Sequence, residues 1–109
     1  MTIADLLKKP GIKALTEIPD ETREIKGGYV GDLLSWVMGR AKPDDAWITI
    51  MNNINIVAVA TLTDVSAIIL CEGVDIEADV IAKANDEGVL ILQTEKPAFE
   101  IATELGGEM

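Results

Sequence analysis

The sequence contains no histidine and only one cysteine, Cys71. These shortages exclude a histidine-based catalytic triad, an intramolecular disulfide and a zinc cluster. Cys71 has no histidine to act as its base, so we expect it to pack near the end of a buried strand. We predict no catalytic residue, no metal site and no cofactor.

Basic residues are also few, with nine Lys and Arg against nineteen Asp and Glu and a net charge of -10. Such a charge repels phosphate backbones and anionic lipids, which argues against nucleic acid and membrane partners. The first residues, "MTIADLLKK", include Asp5 and lack the long apolar core of a signal peptide. No apolar stretch approaches the length of a membrane span. We expect a cytoplasmic protein.

Aromatic residues are scarce, although 49% of the chain is hydrophobic. The core must therefore consist of Ile, Leu, Val and Ala, which is typical of a parallel sheet covered by helices. The chain, 1–109, has the length of one domain.

The second half of the chain alternates strand and helix patterns. Residues 54–63 are rich in β-branched side chains, but joining the flanking strands in parallel requires a crossover, so we predict a helix there. The pattern indicates a small three-layer α/β domain, with a short, mostly parallel sheet of three or four strands flanked by helices. The predicted strands are 46–51, 67–71 and 89–94, and the predicted helices are 54–63, 76–87 and 97–105.

The first half is less regular. Thr2 can cap a helix over 3–9, which Pro10 and Gly11 end. Residues 12–18 have the length and the mixed pattern of a strand, and an amphipathic helix begins near Asp32.

The glycine-rich stretch "IKGGYVGDLL" invites comparison with phosphate-binding loops. A Walker loop would place Lys and a hydroxyl residue after its last glycine, whereas Gly31 is followed by Asp32. A carboxylate there opposes a phosphate and suits a helix cap. We predict a turn at Gly27 and Gly28, with Asp32 as the helix N-cap.

Polar residues follow three strands of the predicted sheet. Open α/β sheets bind ligands at the carboxyl ends of their strands. A ligand site at this edge is one interpretation, and ordinary turns and helix caps are the other. The candidate ligand-binding residues are Asn52, Asn53, Asn55, Cys71, Glu72, Thr94 and Glu95.

Large apolar residues indicate a different function, that of a protein-interaction module. Trp36, Met38 and Trp47 can form a partner surface, although core packing should claim at least one of the two tryptophans. An uncovered apolar face on so small a domain favours dimerisation. We expect a homodimer, with Trp36 and Met38 at its interface.

The run "GGYVGDLLSWVMGRAKPDDAWITIMNNINIVAVATLTDVSAIILCEG", followed by "GVLILQTEKPAFEIA", resembles the DRTGG domain over about 28–105. Such domains occur alone or beside CBS pairs and phosphotransacetylase, and they are similar to the amino-terminal domain of HPr kinase/phosphorylase. Kinase activity is not implied, because the Walker loop and the kinase domain are absent here, as is a literal Asp-Arg-Thr-Gly-Gly string. The resemblance implies a regulatory domain for a small polar metabolite or nucleotide, with a protein-interaction module as the alternative.

Overall fold

A computed structural model describes residues 1–109 as five strands and five helices. The strand order is β1-β5-β4-β3-β2; β2 to β5 are parallel, and β1 runs antiparallel beside β5. This architecture confirms the predicted three-layer α/β fold. The elements are α1 (Ile3–Leu7), β1 (Lys13–Ala14), β2 (Gly27–Val30), α2 (Leu34–Arg40), β3 (Asp45–Thr49), α3 (Asn55–Thr63), β4 (Ala67–Leu70), α4 (Ala78–Glu87), β5 (Ile91–Gln93) and α5 (Ala98–Glu108).

The sheet separates two hydrophobic cores because successive strand residues point to opposite faces. Trp47 and Ile68 face the first core, which also contains buried residues of α3 and α4. Ile48 and Ile69 face the second core, which contains buried residues of α1 and α5. No helix is both long and apolar enough to cross a membrane.

Helix α3 confirms the topological prediction for residues 54–63. It carries the chain from β3 to its parallel neighbour β4, and it buries Ile56, Val57 and Ala60 in the first core. The burial of these side chains outweighs the weak preference of β-branched residues for strands.

The predicted turn at Gly27 and Gly28 is wrong, because both residues lie in β2 and pair with Asp45 and Ala46 of β3. Glycine is unfavourable within a strand, so the local residue pattern did not indicate β2. A side chain at Gly27 would meet the Asp45 carboxylate, since an added Cβ would lie 2.8 Å from Asp45 Oδ1. The sheet therefore has five strands rather than three or four.

The strand predicted over 12–18 is much shorter than expected. Only Lys13 and Ala14 pair with β5, and they do so in antiparallel register. Thr16 instead uses its side-chain oxygen to accept a hydrogen bond from Ile91 N at 3.1 Å. The prediction of α1 is confirmed, since Thr2 and Asp5 form a reciprocal capping box.

Candidate functional site

The parallel strands β2 to β5 end at the same edge of the sheet, and the loops that follow them are joined by hydrogen bonds. Asn52 Nδ2, after β3, donates to Asp75 O in the loop after β4 at 2.9 Å. Glu72 N–H, after β4, donates to Lys96 O in the loop after β5 at 3.0 Å. We call the connected loops 50–55, 71–76 and 94–96 the carboxyl rim. The structure thus brings the loops of the predicted site residues together.

Asp32 joins the end of β2 to this rim. Its Oδ1 accepts hydrogen bonds from Thr49 Oγ1 at 2.8 Å and from Ile50 N at 3.0 Å. The prediction that Asp32 caps α2 is therefore wrong: the helix begins at Leu34, and its N-cap Leu33 has no side-chain hydrogen bond. The carboxylate finds two donors across the sheet edge instead of the helix amides.

We predict that Asp32→Ala lowers the free energy of unfolding by about 1–3 kcal/mol, because the substitution leaves the buried Thr49 hydroxyl without its acceptor. Urea denaturation followed by circular dichroism measures the change. Asp32→Asn is the matched control, since its carbonyl oxygen can still accept both bonds. An unchanged midpoint for Asp32→Ala would contradict this structural role.

The three asparagines are exposed and partly engaged in shaping their own loop. Asn53 Oδ1 accepts from Asn55 N at 2.9 Å, which fixes the turn into α3. Asn55 is the first residue of that helix. Asn52 Oδ1 and Asn53 Nδ2 make no hydrogen bond within the chain, so one acceptor and one donor face outward.

The turn between β4 and α4 is tight. Glu72 and Gly73 both have positive φ, 58° and 69°, and Val74 N–H donates to Cys71 O at 3.2 Å. The Glu95 carboxylate lies against Gly73: a Cβ added at Gly73 would be 2.9 Å from Glu95 Cδ. Glu72 and Glu95 therefore belong to adjacent turns, as predicted for a shared rim.

Cys71 and Thr94 are buried, with exposed fractions of 1% and 2%. Burial raises the pKa of the Cys71 thiol, and its Sγ lies 3.6 Å from Thr49 O. This confirms that Cys71 packs at the end of a buried strand. Thr94 Oγ1 accepts from Lys96 N at 3.2 Å and so holds the last loop of the rim. Both residues support the rim from beneath.

Two cavities lie at the carboxyl and amino ends of the strands. The one at the carboxyl rim, about 200 Å³ in volume, lies between β1 and the end of β5. It combines Lys13 with Glu95, and is lined by Gly11, Ile12, Lys13, Gln93, Thr94 and Glu95. Sequence reasoning missed Lys13 and Gln93, because the antiparallel pairing of β1 with β5 leaves no local pattern.

The second cavity, of about 260 Å³, lies at the opposite, amino edge of the sheet around Arg23. The guanidinium donates to Asp44 Oδ1 at 3.0 Å and to Asp64 O at 2.6 Å. Asp44 and Asp64 both have positive φ. Arg23 therefore links the turns that precede β3 and β4, a structural role that no sequence motif indicates.

The sequence model of the DRTGG domain family matches residues 13–107 of the chain. The chain belongs to the DRTGG domain family. The resemblance read from the sequence is thereby confirmed. No curated protein matches the sequence significantly.

A solved structure similar to this DRTGG domain contains the CBS and DRTGG domains of the regulatory region of Clostridium perfringens pyrophosphatase, complexed with the activator diadenosine tetraphosphate. The TM-score is 0.66 at 21% sequence identity, and the match covers 94% of this chain and 43% of that one. The chain thus spans less than half of the length of that structure. At this identity the likeness shows a common fold.

The carboxyl rim of this DRTGG domain is acidic. Glu72, Asp75 and Glu95 are exposed on it, whereas the cation Lys96 is engaged by Glu104, with Nζ and Oε1 2.7 Å apart. No group of three or more Asp, Glu or Cys side chains converges as a metal site would require. Neutral or zwitterionic groups suit this rim better than a bare polyphosphate.

The two tryptophans have opposite environments. Trp47 is fully buried in the first core, as predicted for at least one of them. Trp36 and Met38 on α2 are 55% and 47% exposed. The Arg40 guanidinium lies 4.0 Å from the centroid of the Trp36 ring and covers one part of it. The α2 residues are therefore accessible to a partner.

Proposed function

We propose that this DRTGG domain is a non-catalytic regulatory module that binds a small polar ligand at its carboxyl rim. Membership in a family represented in a pyrophosphatase regulatory region supports the regulatory role. The observation that carries the location is the 200 Å³ cavity where the rim meets β1, with Lys13 and Glu95 on its wall. In small-ligand sites a few convergent polar groups fix the orientation of the ligand.

The size and charge of the cavity restrict the ligand. Its volume is smaller than the usual range for drug-sized ligands, about 300–1,000 Å³, so it accommodates a fragment such as a nucleobase or an amino acid. The Lys13 ammonium and the Glu95 carboxylate can pair with a zwitterion or with the donors and acceptors of a base. The nucleotide activator of the pyrophosphatase supports testing nucleotides, with their phosphates directed away from the acidic rim.

The contact between Glu95 and Gly73 provides a route from binding to response. Glu95 touches the ligand cavity and also lies against the turn after β4. A ligand that draws the carboxylate into the cavity releases this turn, and Asn52 passes the displacement to the loop after β3 through Asp75. The outward Asn52 Oδ1 and Asn53 Nδ2 and the exposed Asn55 side chain then give the ligand further contacts along the rim.

The proposal is tested by thermal shift with nucleosides, nucleotides and amino acids, each titrated to millimolar concentration. Binding to the folded state at a hundred times Kd stabilises by about 2.7 kcal/mol, so one class should raise Tm in a graded way. We expect Glu95→Gln or Lys13→Met to abolish the rise.

Glu100→Gln, which neutralises an exposed carboxylate on α5, is the matched control and should retain the rise. A rise that survives both cavity variants would place the ligand elsewhere. The absence of any rise across these classes would refute binding of such ligands.

A second candidate function is an assembly module acting through α2. The exposure of Trp36 and Met38, beside Leu33 at 61%, favours it. Large apolar side chains of this kind anchor interfaces when a partner desolvates them. In this function no small ligand is required, so the thermal-shift series separates the two candidates.

A further inference from the structure

Strand β2 forms one edge of the sheet, because it pairs with β3 alone. Gly31 N–H donates to Ile48 O at 3.2 Å, and the register pairs Val30 with Ile48. Backbone direction alternates along a strand, so Tyr29 and Gly31 face β3 whereas Gly28 and Val30 face away from it. The edge therefore presents two N–H and two C=O groups without a partner strand.

Gly28 is not required by the fold of the chain itself. A Cβ added there would lie 3.5 Å from Ala46 O, an ordinary contact, and its φ is not positive. Gly31 differs, because a Cβ there would come within 2.9 Å of the Tyr29 ring. A glycine that its own strand does not need often marks the close approach of another backbone.

We propose that the partner of this edge is β2 of a second copy of the chain, in antiparallel register with Tyr29 opposite Tyr29. In this register Gly28 of each copy faces Val30 of the other, and the pair exchanges both backbone hydrogen bonds. Because the two-fold axis repeats the pair, four hydrogen bonds form. The two five-stranded sheets become one continuous sheet.

Charge selects the same register. With Tyr29 at the centre, Lys26 of one copy falls opposite Asp32 of the other, so two pairs of opposite charges form. Centring the strands on Gly28 instead places Asp32 opposite Glu24, which is repulsive. Centring on Val30 places Lys26 opposite Leu34 and gains no charge pair. The Lys26 side chain is 69% exposed, and its Nζ lies 3.7 Å from Asp44 Oδ2 of the same chain, a contact that the pairing with Asp32 would replace.

Apolar surface beside the strand completes the interface. Val30 is 53% exposed and, with Gly28, borders a groove of about 190 Å³ against α5, which Leu105 and Met109 also line. In the proposed register Val30 of one copy lies over Gly28 of the other, at the mouth of that groove. The absence of a side chain at Gly28 provides the space.

The experiment is light scattering combined with amide hydrogen exchange over a range of protein concentrations up to about 1 mM. We expect the mass to rise from 11.7 kDa to about twice that value. Over the same concentration range, the amides of Gly28 and Val30 should become protected from hydrogen exchange. A monomer throughout, or a dimer that leaves both amides unprotected, would overturn the proposal.

Two variants test the register. Val30→Pro removes an N–H that the monomer does not use and should abolish the dimer, whereas Val30→Thr keeps the N–H and should retain it. Lys26→Glu should weaken association about tenfold at low salt by opposing Asp32 with a like charge. Lys83→Glu, with the same charge change on α4, is its control. A dimer that resists both Val30→Pro and Lys26→Glu, or that Trp36→Ala dissociates, would overturn this interface.

Discussion

Trp47→Ala is expected to lower the free energy of unfolding by about 3–5 kcal/mol. The Trp47 side chain is fully buried in the first core, and its Nε1 donates to Gly31 O at 2.9 Å. The substitution would leave a cavity between the sheet and its helices and would remove the hydrogen bond that fixes the end of β2. Urea denaturation followed by far-ultraviolet circular dichroism gives the difference.

Trp36→Ala is the matched control for this prediction. It deletes the same side chain from α2, where Trp36 is 55% exposed and packs partly on Arg40. We expect a loss below about 1 kcal/mol, within the usual range for surface changes and one cation–π contact. Equal losses for the two variants would show that burial does not distinguish them.

Gly73→Ala is expected to lower the free energy of unfolding by about 1–3 kcal/mol. Gly73 has a φ of 69°, which an alanine adopts only with strain. The added methyl group would also press on the Glu95 carboxylate, with Cβ 2.9 Å from Glu95 Cδ. Backbone strain and a side-chain clash therefore act together at one position.

Gly88→Ala isolates the first of these two causes. Gly88 has nearly the same φ, 70°, but a Cβ there meets nothing within 4 Å, so only the backbone cost applies. The second cause is isolated by combining Gly73→Ala with Glu95→Ala, which removes the clash, so that in this background Gly73→Ala should cost no more than Gly88→Ala. Strictly additive effects in this double-mutant cycle would show that Glu95 does not lie against Gly73.

The second half of the fold could be predicted from the sequence because local pattern and topology agree there. Short apolar runs such as 67–71 alternate with amphipathic segments such as 76–87, and Gly88 ends a helix in the left-handed conformation that glycine adopts readily because it lacks a Cβ. Even α3, whose composition favours a strand, follows from the crossover that two parallel neighbours require. These are consequences of spacing along the chain.

The first half could not be predicted in the same way because its structure depends on distant partners. Gly27 and Gly28 form a strand only because β3 supplies the backbone partners. Asp32 turns from the helix amides toward Thr49 and Ile50, 17 and 18 residues away. Arg23 finds Asp44 and Asp64 across the amino edge. None of these pairings has a local signature.

For the candidate site, the sequence predicts the edge of the sheet better than the individual side chains. The loops that carry Asn52, Glu72 and Glu95 do meet in one rim, because parallel strands must end together. Whether a side chain points outward depends on the pleat, and Cys71 and Thr94 fall on buried positions. That Cys71 and Thr94 contact a ligand stays a prediction. In the structure these buried residues hold the loops of the carboxyl rim in place.

The strand order has a mechanical consequence. The cavity beside β1 and the open edge of β2 lie at opposite ends of the sheet, four strand spacings or roughly 19 Å apart. No side chain spans that distance, so an event at one end reaches the other through the hydrogen-bonded loops of the carboxyl rim and through changes in how successive strands rotate relative to each other. A change in the twist of the sheet would then carry strain between its two edges, and the stiffness of the sheet would determine how strongly the two ends are coupled.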